Sequence, residues 1–120
     1  MPTNKFKMKY DGEYDSLYFY DRVNRSSSGI EWGNLDISYD KNGNIIGLSI
    51  KGASSFLTNL TNRKITKKAL AKAVSGRLKV REKAGIIYLT FIINLENEAP
   101  IEDTITVKSI NYKSPLTETA

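Results

Sequence analysis

The side chains best placed to do chemistry are nine bases between Thr61 and Gly85: Arg63, Lys64, Lys67, Lys68, Lys72, Arg77, Lys79, Arg81 and Lys83. Glu82 is the one acid among them, so this segment carries +8, while the rest of the chain, with nine bases and twelve acids, carries −3. Lys64, Lys68 and Lys72 recur every four residues, the spacing of one helix ridge. Arg77, Lys79 and Arg81 alternate with Leu78 and Val80, the spacing of one strand face. Packing explains charge on such faces but not its uniform sign, and like charges at i, i+4 are mildly destabilising. A face of one sign suits a polyanion, most commonly nucleic acid, bound through phosphates with weak sequence preference. Arg63, Lys64, Lys67, Lys68, Lys72, Arg77, Lys79 and Arg81 form the candidate nucleic-acid-binding set. The competing reading is a solvated face, or one that pairs with Glu96, Glu98, Glu102 and Asp103 on neighbouring strands. No helix-turn-helix, RNA-recognition or zinc-finger signature accompanies the charge.

Other constellations are weaker. The chain has no cysteine and no histidine. That removes disulfides, cysteine nucleophiles, structural zinc sites and the usual general base near neutral pH. An enzyme would have to work with Asp, Glu, Lys, Tyr or Ser, so the expectation is a non-enzymatic protein with no catalytic residue, metal or cofactor. Asp11, Glu13 and Asp15 could bind a cation or act as an acid–base pair. The plainer reading is a turn in which Asp11 accepts backbone hydrogen bonds and the other two are solvated. Asp40-Lys41-Asn42-Gly43-Asn44 is not a calcium loop, because it lacks glycine at the sixth position and has Lys51 where a bidentate acid belongs. Tyr10, Tyr14, Tyr18, Tyr20 and Trp32 could form a stacking platform, although tyrosine on a sheet rim is more often half-buried with its hydroxyl in water.

These residues need a scaffold, and the chain predicts one around Leu35–Ser54. Ile37 and Tyr39 alternate with polar neighbours, Gly43 and its asparagines reverse the chain, and Ile46, Leu48 and Ile50 return an apolar row. Before it, Phe6, Met8 and Tyr10 alternate with lysines, and Leu17 and Phe19 oppose Tyr18 and Tyr20. Arg22–Gly29 reads as an exposed loop, and Ile30–Trp32 as a short strand or part of that loop. After Ser54 the period becomes helical. Phe56, Leu57 and Leu60 follow Ser54 or Ser55 as cap. Thr66 caps a second stretch through Ser75, with Ala69, Leu70, Ala73 and Val74 as its stripe and Gly76 at C′. One kinked helix or two helices both fit. Beta structure then resumes with Leu78 and Val80, a turn at Lys83-Ala84-Gly85, the apolar strand Ile86–Leu95, a turn at Asn97–Pro100, and a last strand Thr104–Tyr112 with Ile105 and Val107 inward.

Tyr10-Asp11, Asp15, Leu17-Tyr18, Tyr39-Asp40, Gly43, Ile46-Gly47, Ile50 and Ala53-Ser54 together resemble one short prokaryotic family, domain of unknown function 2283. Its pattern is Y-D-x-x-x-D-x-L-Y, a strand, then D-x-x-G-x-I-x-G-I-x-I-x-x-A-S. The resemblance covers roughly Met8 to Phe56. It implies a small hairpin layer followed by a helix, with no established activity. Members often lie beside small toxin-like proteins, which implies an antitoxin-like or partner-binding role. The second half of the chain has no counterpart in that pattern.

The expected fold is α+β, mainly antiparallel hairpins with one or two central helices between N- and C-terminal strand groups. It forms a single domain over 1–120: a family-like hairpin layer (5–56), a helix with C-terminal hairpins (57–112) and a tail (113–120). No apolar run approaches the length of a membrane span, and the polar N-terminus lacks a signal-peptide core, so a cytoplasmic location is expected. The expected function is a small polyanion-binding protein. The alternative is a protein-interaction module, of the antitoxin-like kind the resemblance implies, that binds an acidic partner or pairs through a sheet edge. Ile86–Leu95 is apolar on both faces, and two short helices can cover only one. Unless the N-terminal hairpins cover the other as a sandwich, a homodimer on the sheet is expected.

Overall fold

Period-two alternation is what builds both sheets. The computed structural model describes residues 6–21, residue 23 and residues 28–108. The elements are β1 (Phe6–Asp11), β2 (Ser16–Asp21), β3 (Ser28–Trp32), β4 (Leu35–Tyr39), β5 (Ile45–Lys51), α1 (Ala53–Thr61), α2 (Lys67–Ala71), β6 (Ser75–Lys83), β7 (Ile86–Asn94) and β8 (Ile101–Lys108). The fold is α+β. One sheet has five strands in the order β1-β2-β5-β4-β3 and the other three in the order β6-β7-β8, with antiparallel pairing throughout. Parts of the expected Arg22–Gly29 loop, the end of the last strand and the tail lie outside the described residues, but Ile30–Trp32 is a strand.

Phe6, Leu17, Phe19, Ile37, Leu48 and Ile50 are buried on the inner face of the first sheet, while Lys7, Lys9 and Tyr20 point to water. A bulge between β4 and β5 changes one expectation. Tyr39 pairs with Ile45, so Ile45 joins the main core while Ile46, though buried, falls outside it. The extra residue turns the strand locally and re-aims its side chains. At the preceding turn Gly43 adopts φ 82°, and the Asp40 carboxylate accepts from the N–H groups of Asn42 and Asn44 at 2.9 Å each.

The second sheet lies across the first. Gly76 on β6 meets Met8 of β1. Phe91 of β7 meets Phe19 of β2 with ring centroids 6.5 Å apart. The far end of the hairpin, at Gly85 and Ile86, reaches Trp32 of β3. The β6–β7 hairpin therefore runs from one edge strand of the five-stranded sheet to the other, a crossed sandwich. Leu78, Ile87, Leu89, Phe91, Ile93, Ile101 and Val107 supply its half of the core. The N-terminal sheet thus covers the Ile87–Leu95 row. The opposite row, Ile86, Tyr88, Thr90 and Ile92, faces outward with Ile86 exposed and the others half-buried.

The helical segment is two helices: α1 starts at Ala53 on Gly52, ahead of the expected Ser54 or Ser55 cap, and α2 is shorter than expected. α2 has five residues, with Thr66 Oγ1 accepting from Ala69 N at 3.0 Å as its cap. It ends at Ala71, so Lys64 lies before it and Lys72 caps it, and the three lysines do not form one ridge. Val74 is exposed beyond the helix rather than in its stripe. Gly76 does not end a helix either. It lies in β6, where a methyl group would run into Met8 Sδ, with Met8 Cβ and Cγ both 3.0 Å away. The glycine is required by the crossing of the two sheets. Gly76→Ala is expected to lower stability by about 1–3 kcal/mol through overpacking. In a Met8→Ala background the same change is expected to cost less, as a urea-unfolding double-mutant cycle measures.

Candidate nucleic-acid interface

The β6–β7–β8 register sorts the basic residues. Arg77, Lys79, Arg81 and Lys83 all face away from the core, opposite Ile92, Thr90, Tyr88 and Ile86 of β7. Beyond these, β8 contributes Glu102, Thr104, Thr106 and Lys108 to the same rows. The outward face is thus a line of four cations on an edge strand, a half-buried central strand and a threonine-rich margin. Thr90 and Thr104 share a hydroxyl hydrogen bond at 2.8 Å across that margin. Same-face residues on a strand are about 6.8 Å apart, so the four charges form an evenly spaced row. Among the described residues none of the four makes an ion pair. Lys83 continues the row because β6 persists to the turn, where Ala84 and Gly85 both take positive φ and match a two-residue hairpin.

The other candidates are placed elsewhere. Arg63 is engaged internally: its guanidinium donates to Pro100 O at 3.0 Å and Ala99 O at 2.6 Å, with Glu98 at 3.8 Å. It ties the β7–β8 loop to the inter-helix linker. Lys64 is exposed in that linker, and Lys67, Lys68 and Lys72 are exposed on or at the end of α2, which packs on α1 and β1. Among the described residues, pairing with Glu96, Glu98, Glu102 and Asp103 is therefore realised only by Arg63 with Glu98. Asp103 instead occupies the inward-facing row of β8, level with Phe91.

The aromatic group does not assemble into one platform. Tyr10 turns inward, Tyr14 is exposed in a turn, and Trp32 stands at the rim of the sandwich. Tyr18 and Tyr20 flank a groove of about 470 Å³ on the outer face of the first sheet, over Gly47, Ser38 and Ser49.

The acidic trio resolves differently from its sequence reading. Asp11 accepts from Glu13 N at 3.0 Å, as a turn residue does. Asp15 is not solvated: it is 8% exposed, at φ 51°. Its carboxylate accepts from Tyr10 Oη at 2.6 Å, from Ser54 Oγ at 2.6 Å, and from Ser54 N at 3.1 and 3.2 Å. It caps α1, whose own N-cap residue is Gly52, with no side-chain cap. Burial pushes the Asp15 carboxyl up, but the bonds from Ser54 and Tyr10 and the nearby Lys67 charge outweigh it. The group therefore titrates below the ordinary carboxylate range. Tyr10 is pushed up, first by burial and then by its bond to Asp15. An acid so fully hydrogen-bonded and so weakly basic is a structural anchor, not a general base. Among the described residues no cluster of three acids fit for a metal ion occurs, and no helix is long and apolar enough to cross a membrane.

Residues 7–54 match the model of a family described as protein of unknown function, DUF2283. No curated protein and no solved structure matches the chain. The matched stretch ends at Ser54, the partner of Asp15. The DUF2283-like half therefore contains both sides of the α1 cap, together with the turn at Asp40 and Gly43. The basic row of β6 lies entirely outside it.

Folded Asp15 binds its proton more weakly than in the unfolded chain, where the value is about 3.9. It therefore stabilises the fold above that pH, and the contribution is lost as pH falls through the folded value. Asp15→Ala is expected to cost about 2–4 kcal/mol at pH 7 by orphaning the cap donors and the Tyr10 hydroxyl. The deficit is expected to narrow as urea-unfolding measurements are carried below pH ~4.

Proposed function

We propose that the protein is a non-enzymatic polyanion-binding module whose ligand is nucleic acid, held on the outward face of β6. The observation that carries this reading is the row Arg77, Lys79, Arg81 and Lys83. These are four exposed cations on one strand face with no ion-pair partner among the described residues. Aligning like charges is an electrostatic cost that a polyanion relieves, with counterion release adding to the affinity. Lys67, Lys68 and Lys72 add to the positive field, whereas Arg63 serves the fold. Binding of this kind is dominated by phosphate contacts, so it is strongly salt-dependent and sequence-tolerant. A homodimer on this face would bury the same outward row of β7. Polyanion binding and self-association would then compete, and light scattering at micromolar concentration measures the latter.

Lys79→Glu with Arg81→Glu is expected to weaken oligonucleotide binding at low salt at least tenfold while leaving the unfolding midpoint within the small range usual for exposed substitutions. The slope of log affinity against log salt should fall by roughly 1.4–1.8, the share of two phosphate contacts. Lys68→Glu with Lys72→Glu should have the smaller effect. Fluorescence anisotropy across a salt series reads both. A reversed protein that binds as tightly as the parent would overturn the reading. Recovery of one stoichiometric acidic protein from the native host, insensitive to nuclease, would replace nucleic acid with a protein partner.

A further inference from the structure

We propose that the cleft beside Trp32 receives a nucleobase, so that the polyanion held along β6 is a single-stranded nucleic acid; this rests on the polyanion reading above. Trp32 is the one tryptophan of the chain. It pairs with Leu35 and so belongs to the inward row of its sheet, yet it stands at the margin and is 49% exposed. Facing it are the Ala84-Gly85 turn, Ile86, and Thr106, Val107 and Lys108 of β8, which together with the indole line a shallow, open cleft of about 380 Å³. Ile86 is 41% exposed there. A large aromatic and an isoleucine are thus left partly in water across a gap that neither fills. The volume lies in the range of small-ligand sites.

The charge around this cleft selects the ligand. Lys83, Ile86 and Lys108 form one row across β6, β7 and β8, so an ammonium stands on either side of the exposed isoleucine. An aromatic wall beside ammonium groups suits a nucleotide, with the base against indole and the phosphate against lysine. The row of β6 leads directly to it, because the strand ends at Lys83 and the turn after it lines the cleft. Alternate residues of a strand repeat about every 6.8 Å. A dipeptide and a nucleotide span the same number of backbone bonds, so one cation can serve each phosphate of an extended single strand. A duplex keeps its bases stacked and paired, and could offer one to the cleft only by unpairing it. The lining offers one hydroxyl, on Thr106, and no amide pair, so it suits any base rather than one.

The test titrates the full chain with oligothymidylate, with an abasic oligodeoxynucleotide of the same length, and with the oligoadenylate–oligothymidylate duplex. The indole emission reports directly on the cleft. Oligothymidylate is expected to quench Trp32 emission and to bind about tenfold more tightly than the abasic strand, a typical effect of one base–aromatic stack. The duplex is expected to leave emission unchanged. Trp32→Ala should bring the two single strands to equal affinity while keeping salt-dependent binding, and Trp32→Phe, the conservative replacement, should restore part of the difference. Equal binding of the base-bearing and abasic strands with unchanged emission overturns the base site. The polyanion reading survives that result if Lys79→Glu with Arg81→Glu still weakens binding. Absence of binding by all three probes at low salt overturns both.

Discussion

The fold depends on a carboxylate that reaches from the first hairpin to the start of the first helix. Asp15 sits in the left-handed region in the β1–β2 turn, and its two oxygens meet the Tyr10 hydroxyl and the backbone and hydroxyl of Ser54. Its own carbonyl accepts from Ala53 N at 2.7 Å, so both the main chain and the side chain of one residue hold the helix entry. The first N–H groups of a helix lack internal partners, and a negative charge there also opposes the positive end of the helix. Here that charge is supplied from 39 positions away rather than by the cap residue itself. The direction in which α1 leaves β5 is fixed by the same bonds.

That direction decides where the second half can go. α1, the linker and α2 place Leu57, Ile65 and Leu70 in turn in the core and return the chain beside β1. β6 then starts against Met8 and runs across the first sheet to β3. The arrangement closes one face of β7 under the five-stranded sheet and leaves the other outward. Arg63, bound to the carbonyls of Ala99 and Pro100, holds the β7–β8 connection at the helical side. The two halves therefore divide their roles. The family-like half supplies the frame and both sides of the helix cap, and the second half carries the concentrated charge.

The charge row has a simple structural origin. A strand with a buried face must put its polar residues on the other, and β6 does so with bases alone. Its inward residue near the tip, Glu82, contributes the one opposing charge and also raises the Tyr39 hydroxyl together with burial, which is the larger influence. Nothing in the described packing neutralises the outward row. The helix lysines differ: α2 is too short to carry a ridge, packs on α1 and β1, and brings the Lys67 charge near Asp15.

Strand periodicity was legible in the chain because alternation is a local property: β1, β2, β4, β5, β6 and β7 follow directly from it, as do the turns at Gly43 and Ala84-Gly85. The same alternation placed Arg77, Lys79 and Arg81 on one face. Three features were not legible, since each depends on residues distant in sequence. Asp15 reads as one more turn acid until Ser54 is brought to it. Gly76 reads as a helix terminator until Met8 is laid over it. Trp32 reads as one of five scattered aromatics until the tip of a hairpin from the other half of the chain forms the opposite wall. Local sequence determined which side chains share a face. Only the crossing of the two sheets decided which faces meet, because that angle is set by the helix entry and by packing between halves, which no local period encodes.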